Sequence, residues 1–185
     1  MLADNKIRSF ISIEIDENTK KQLAEISKKF HFIKGIKWVE PTNYHITLNF
    51  LGEIQKNLVC KISEILDDVS QRYPTFDIEL TDFGFFPNQR RPKVFWIGIK
   101  NSEIIINIKK DLDELLKKNN IVFDEKPFKP HLTLGRFKEE INTIVIPENI
   151  KFNITFEVKS IHLMQSILLK QGPIYNVIYT AKLIN

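Results

Sequence analysis

Two short runs of this chain carry the same pair of reactive side chains. His45-Ile46-Thr47-Leu48 and His131-Leu132-Thr133-Leu134 both read His-x-Thr-x inside an apolar stretch. A proline-containing segment precedes each, Pro41-Thr42-Asn43-Tyr44 before the first and Pro127-Phe128-Lys129-Pro130 before the second. On a β-strand, side chains alternate between faces with period two. His45 and Thr47 therefore point one way, and Ile46, Leu48 and Phe50 the other. The same split separates His131 and Thr133 from Leu132 and Leu134. If the two runs face each other, two imidazoles and two hydroxyls converge on one point.

Four kinds of chemistry can be set against that group. A catalytic zinc is usually held by three His, Cys or carboxylate ligands, whereas each motif supplies one histidine and no carboxylate or thiolate. Magnesium sites want carboxylates, which the motifs also lack. A Ser-His-Asp hydrolase needs a Gly-x-Ser-x-Gly turn, and the sequence has none. Phosphodiester cleavage without a metal or other cofactor fits better. One base takes a proton from the attacking oxygen, and one acid protonates the leaving oxygen. Imidazole serves both roles because its unperturbed pKa lies near ~6.5. The hydroxyls donate to the non-bridging oxygens as charge builds there. In-line displacement places acid and base on opposite sides of phosphorus, which two facing pairs supply. A 2′,3′-cyclic phosphate suits so modest an apparatus, since its ring is strained and its leaving oxygen is tethered.

The elements that must position these residues follow from periodicity. Length, at 185 residues, gives one domain or two closely packed lobes. Hydrophobic content of 43% and 27% charge are those of a soluble globular protein, and a net charge of +4 leans mildly towards anionic partners. Cys60 is the single cysteine, which excludes an internal disulfide and fits a reducing cytoplasm. No signal peptide or membrane-spanning run is read. Strands are expected at Lys6–Ile15, Ile36–Val39, Tyr44–Leu51, Phe76–Phe86, Val94–Ile99, His131–Phe137, Thr155–Leu168 and Tyr175–Leu183. Apolar residues at helical spacing place one helix after an Asp16 cap, with Thr19, Leu23, Ile26 and Phe30. A second carries Leu58, Ile62, Ile65, Leu66 and Val69, and a third Ile104, Ile105, Ile108, Leu112, Leu115 and Leu116. A polar connection with Pro147 follows the second motif. The expected architecture is α+β, a single two-lobed domain over 1–185. Two mostly antiparallel sheets related by a pseudo-twofold line a central cleft, with helices on their outer faces and the motif strands side by side.

The combination resembles the two-histidine phosphoesterases, and most closely their RNA 2′,3′-cyclic phosphodiesterase branch, the LigT-like proteins. The resemblance rests on both motifs and on Arg8-Ser9-Phe10-Ile11, Lys37-Trp38-Val39, Asn49-Phe50-Leu51-Gly52-Glu53, Phe86-Pro87 and Phe95-Trp96-Ile97-Gly98. It continues through Gly135-Arg136 to Ser166, Gly172 and Tyr175 in a closing hairpin. It implies hydrolysis of an RNA 2′,3′-cyclic phosphate end to a 2′-phosphomonoester, with 2′–5′ joining as the reverse. His45 is then the proton donor, His131 the proton acceptor, and Thr47 and Thr133 the phosphate ligands. The sequence alone leaves the order of acid and base open. Sister substrates share the motifs, a cyclic phosphate on an ADP-ribose fragment or a 2′–5′ oligoadenylate. The reading from another class is a non-catalytic module that binds RNA ends.

Around the motifs, Arg136 stands on the opposite face by strict alternation and reaches phosphate only if its strand twists or bulges. Phe86, Arg90 and Arg91 are candidates to stack on and clamp a nucleotide, and Tyr44 and Phe128 to border the site. Phe83, Phe85 and Trp96 are read as core. His31 is read as a solvated helix end, and His162 and Cys60 as non-catalytic. A monomer is expected.

Overall fold

The computed structural model describes residues 5–100, 102–138, 146 and 150–185. Nine strands and three helices follow one another among them. They are β1 (Lys6–Glu14), α1 (Glu17–Lys28), β2 (Ile36–Trp38), β3 (His45–Gln55), α2 (Leu58–Ser70), β4 (Phe76–Phe86), β5 (Val94–Lys100), α3 (Glu103–Lys118), β6 (His131–Phe137), β7 (Ile154–Val158), β8 (Ser160–Leu168) and β9 (Pro173–Lys182). The expected Asp16 cap is present, its carboxylate accepting from the Thr19 amide at 3.0 Å. The connection containing Pro147 lies outside the described residues.

The strands form two sheets, ordered β3-β1-β8-β9 and β2-β6-β5-β4-β7. All the neighbouring strand pairs are antiparallel. The series β3-β1-β8-β9 in one sheet matches β6-β5-β4-β7 in the other. In each, the motif strand comes first and pairs with the strand that precedes its helix, in chain order β1-α1-β2-β3 and β5-α3-β6, with β2 inserted in the first case and paired to β6 of the other sheet. This is the pseudo-twofold expected from the repeated motif. The motif strands are not hydrogen-bonded neighbours, however. They sit in different sheets and face each other across the cleft.

The helices cross over between the halves. α1 follows β1 of the first sheet, and the turn leaving it, on the way to β2 of the second, drives Phe30 against Phe83 and Phe95 of that second sheet, at ring-centre distances of 4.7 and 5.0 Å. α3 joins two strands of the second sheet, yet it packs on α2 and on β3 of the first. There Asp113 accepts from the Asn49 side chain at 2.6 Å and pairs with the buried Lys109. Aliphatic side chains from the outer faces of both sheets and from all three helices join one continuous core.

One expected strand is two. The chain over Thr155–Leu168 changes sheet at Lys159: β7 pairs with β4 in the second sheet, and β8 pairs with β1 and β9 in the first. Burial alternates through Ile154, Phe156 and Val158, then shifts phase to a continuous buried run from Ile161 to Met164.

Both motif strands bulge at the same place. In the β1–β3 ladder Ile11 faces Asn49 and Ser12 faces Thr47, so Leu48 has no opposite number. In the β5–β6 ladder Phe95 faces Gly135 and Trp96 faces Thr133, so Leu134 has none. Each bulge buries two residues in succession, Leu48 with Asn49 and Leu134 with Gly135. Alternation resumes one residue late. Phe50 and Arg136 consequently emerge on the same face as the histidines and threonines. Strict period two had put both on the far side.

Candidate active site

Each histidine is the first residue of its strand, and each ring is fixed by the backbone two residues before it. His45 Nδ1 lies 2.7 Å from the Asn43 carbonyl oxygen, and His131 Nδ1 lies 2.7 Å from that of Lys129. A carbonyl only accepts, so Nδ1 carries the proton and donates it, which leaves Nε2 as the working nitrogen in both rings. His45 Nε2 is 3.0 Å from the Thr47 hydroxyl, which donates to it while the ring is neutral. The prolines explain the posture: a 3-10 turn at Pro41–Asn43 and the Pro127–Pro130 segment bring the chain into each strand with that carbonyl turned back.

Aromatic walls hold the rings. His45 packs against Phe10 and the edge of Tyr175, at 4.9 and 5.2 Å between ring centres. His131 stands edge-on to Phe86 at 4.8 Å, with Trp96 behind it at 6.2 Å. The indole of Trp96 lies flat on Gly84, where an added Cβ would come within 2.2 Å of the ring. Lys129 Nζ lies over that indole, 4.3 Å from its ring centre.

Between the sheets lies a cleft of about 390 Å³. β3 contributes His45, Thr47 and Phe50 to its walls, and β6 contributes Thr133 and Arg136. Arg8 and Phe10 of β1 add to them, with Val39 and Asn43 from the chain before β3 and Ser166, Leu168, Pro173 and Tyr175 of the β8–β9 hairpin. Among the described residues no carboxylate lines this cleft, and the formal charges on its walls are those of Arg8 and Arg136. Burial pushes His45 down to about 4; the Asn43 carbonyl opposes that shift, while Arg136 and His131 add to it. His131 is also lowered, first by burial, against the Lys129 carbonyl and with Arg136 and the Lys129 ammonium. Arg136 thus acts on both rings at once. With the cleft empty both imidazoles are neutral at pH 7, and an anion placed between them raises both by reversing the local field.

The remaining candidates separate clearly. Phe86 stands edge-on to His131 but is not among the residues lining the cleft. Tyr44 does not reach the cleft: it is 2% exposed and packed in the core, its hydroxyl bonded to Ser27. Arg90 and Arg91 sit in an exposed turn capped by the Asn88 side chain, outside the cleft wall. Phe128 packs against the core beside Lys109. Phe83 and Phe85 are core, whereas Trp96 is buried and also backs His131. His162 is held by the Ser160 and Thr180 hydroxyls at 2.8 and 3.1 Å. His31 remains exposed at its helix end and leans on Trp38. Cys60 is exposed.

The sequence reading missed Arg8, Phe10, Asn43 and Phe50 as cleft residues. The signal for Phe50 was its position, equivalent to that of Arg136 in the second half. Among the described residues, no group of three or more His, Cys, Asp or Glu is placed to hold a metal ion, and no helix is long and apolar enough to cross a membrane.

The model of the LigT-like phosphoesterases matches this chain twice, over residues 13–96 and 97–175, so that each match contains one motif. The chain is 40% identical over 179 residues to an RNA 2′,3′-cyclic phosphodiesterase of Methanocaldococcus jannaschii, covering 93% of this chain and 98% of that one. A protein of the same name from Archaeoglobus fulgidus is 37% identical over 172 residues, covering 91% and 96%. Among solved structures, TT0787 of Thermus thermophilus superposes with a TM-score of 0.85 at 27% identity, covering 96% of this chain and 98% of that chain. E. coli LigT complexed with 3′-AMP gives 0.83 at 25% identity, covering 97% and 99%.

Proposed function

This chain belongs to the LigT-like phosphoesterase family, and on that premise we propose that it hydrolyses 2′,3′-cyclic phosphate ends of RNA to 2′-phosphomonoesters with its two imidazole–hydroxyl pairs and no metal. Water attacks phosphorus from the His131 side and gives its proton to His131 Nε2. The bond from phosphorus to the 3′ oxygen breaks, and His45 Nε2 supplies the proton that oxygen needs. Solvent then resets both rings. Thr47 and Thr133 donate to the non-bridging oxygens, and Arg136 balances the charge that grows on them in the transition state. His45 is neutral in the empty cleft; the incoming phosphate anion raises its pKa, so the acid is armed by the substrate it serves. The same groups also permit 2′–5′ joining: a 5′ hydroxyl takes the place of water, attacks the cyclic phosphate and gives its proton to His131 Nε2, while the bond to the 3′ oxygen breaks and that oxygen takes its proton from His45 Nε2.

The observation that carries this reading is the matched pair of rings. Both are held at Nδ1 by the carbonyl two residues back, both keep Nε2 as the nitrogen for proton transfer, and their threonines open on a cleft whose described lining has no carboxylate. The names of the relatives and the nucleotide bound to the E. coli protein support the substrate class. The enzyme is read as a cytoplasmic monomer, in a compartment where the exposed Cys60 stays reduced.

The test is incubation with a nucleoside 2′,3′-cyclic phosphate in EDTA, with the 2′ and 3′ products resolved. Metal-independent release of the 2′-phosphomonoester is expected. A 3′ product or full dependence on a divalent ion contradicts the scheme, and tight binding without turnover favours an RNA-end binding module. His45→Ala and His131→Ala should each lose about 10²-fold or more in kcat/KM while remaining folded.

A further inference from the structure

The reacting phosphate, its threonines and Arg136 do not use all of the cleft. Arg8 lines the same walls, and its guanidinium lies 4.7 Å over the Phe50 ring. Phe50 is there only because β3 bulges at Leu48. Among the described residues Arg8 has no ion pair, although Glu53 stands opposite it in the β1–β3 ladder. A half-buried guanidinium stacked on a ring, without a carboxylate, in an anion-binding cleft is set to take a second anion. Ser166 and Tyr175, neighbours across the β8–β9 ladder, bring two hydroxyls into the same walls.

The distance along the sheet fixes what that anion is. Thr47 is level with Ser12, and Phe50 with Phe10, two residues further along β1. At a rise of about 3.3 Å per residue, Phe50 and the cation on it sit roughly 7 Å from the Thr47 row. Neighbouring phosphates of a nucleotide chain are separated on that scale. We propose that Arg8, stacked on Phe50 and joined by Ser166 and Tyr175, forms a second phosphate subsite that takes the phosphate on the 5′ side of the terminal nucleotide. This rests on the cyclic phosphodiesterase reading and narrows it: the substrate is the end of a strand or a 5′-phosphorylated nucleotide, in preference to a bare nucleoside cyclic phosphate.

Three substrates separate the outcomes: a nucleoside 2′,3′-cyclic phosphate, the same compound with a 5′-phosphate, and a dinucleotide ending in the cyclic phosphate. For the unaltered protein, kcat/KM should be about tenfold or more higher for both substrates that carry the 5′-side phosphate. A gain confined to the 5′-phosphorylated mononucleotide assigns the subsite to a free monoester, and a gain shared by the dinucleotide assigns it to the strand. In Arg8→Gln the preference should fall to about twofold or less, and Arg8→Lys should keep part of it. Melting temperatures of the variants check the fold. Equal rates on all three substrates, or a loss in Arg8→Gln shared equally by all three, overturn the subsite. Absence of turnover on every substrate instead overturns the cyclic phosphodiesterase reading, and the subsite falls with it.

Discussion

Phe50 and Arg136 occupy the same place in the two halves of the molecule. Each stands five residues past its histidine, and each is brought onto the face that carries the histidine and threonine by a bulge at the leucine that closes the motif. The repeat is therefore longer than His-x-Thr-x. One half uses the shared position for an apolar platform and the other for a cation, so two equivalent strands build a site with unequal ends.

Arg136→Ala should lower kcat/KM by about 10²-fold, the scale of losing one charge-stabilising donor. Arg136→Lys should recover a fraction of that. Arg136→Ala also removes a cation that depresses both imidazoles, so NMR titration of that variant should show the His45 and His131 pKa values moving up together. Rings that do not respond would show that the guanidinium does not face them.

The two imidazoles read as acid and base are both lowered in the free protein, His45 to about 4. As pH rises through those values the protonated acid disappears, and as it falls the neutral base disappears. A plot of kcat/KM against pH should therefore peak below about 6.5, the ordinary histidine value. A peak above that value would show that burial does not govern these rings.

The same shifts make the fold sensitive to acid. Unfolded histidines protonate near ~6.5, whereas folded His45 stays neutral down to about 4. Between those values the unfolded chain binds the extra proton, so stability is fully present above 6.5 and declines as pH falls towards 4. His131 and the buried His162, also lowered chiefly by burial, add to the trend. Melting temperature should drop by several degrees across that window, and His45→Gln should flatten part of the slope.

Gly84→Ala places a Cβ in the plane now occupied by the Trp96 indole. The ring must move, and it backs His131. We expect a loss of about 1–3 kcal/mol in stability from overpacking, together with a fall in kcat larger than any change in KM. Urea denaturation and steady-state kinetics measure the two parts separately.

Asp113→Ala leaves the Lys109 ammonium buried without its partner and frees the Asn49 side chain beside the first bulge. The expected cost is about 3 kcal/mol. Adding Lys109→Met to the same chain should restore much of it, since the stranded charge is then gone. A chemical denaturation series on the single and double variants tests this directly.

Much of the site was readable because His45, Thr47, His131 and Thr133 obey period two from the first residue of each strand. What followed was not readable, because a bulge adds one residue without leaving a mark in composition. Phe50 and Arg136 were misplaced for that reason alone. The break at Lys159 was hidden similarly: both flanking strands are apolar, and only pairing partners reveal that they lie in different sheets. Tyr44 looked like a neighbour of the site by sequence, but adjacency on a strand means opposite faces, and its ring went to the core. Arg8 was visible only within the family pattern, since its partner Phe50 depends on the bulge.

The exchange of helices between the halves has a mechanical result. Phe30, following α1, is sealed into the far sheet, and α3 is tied through Asp113 to the near one. Spreading the two motifs apart would strip apolar cover from both sheets at once. The gap between the imidazoles is thus a fixed gauge, set when the chain folds, and under the proposed function it sorts ligands by whether one tetrahedral phosphorus spans it.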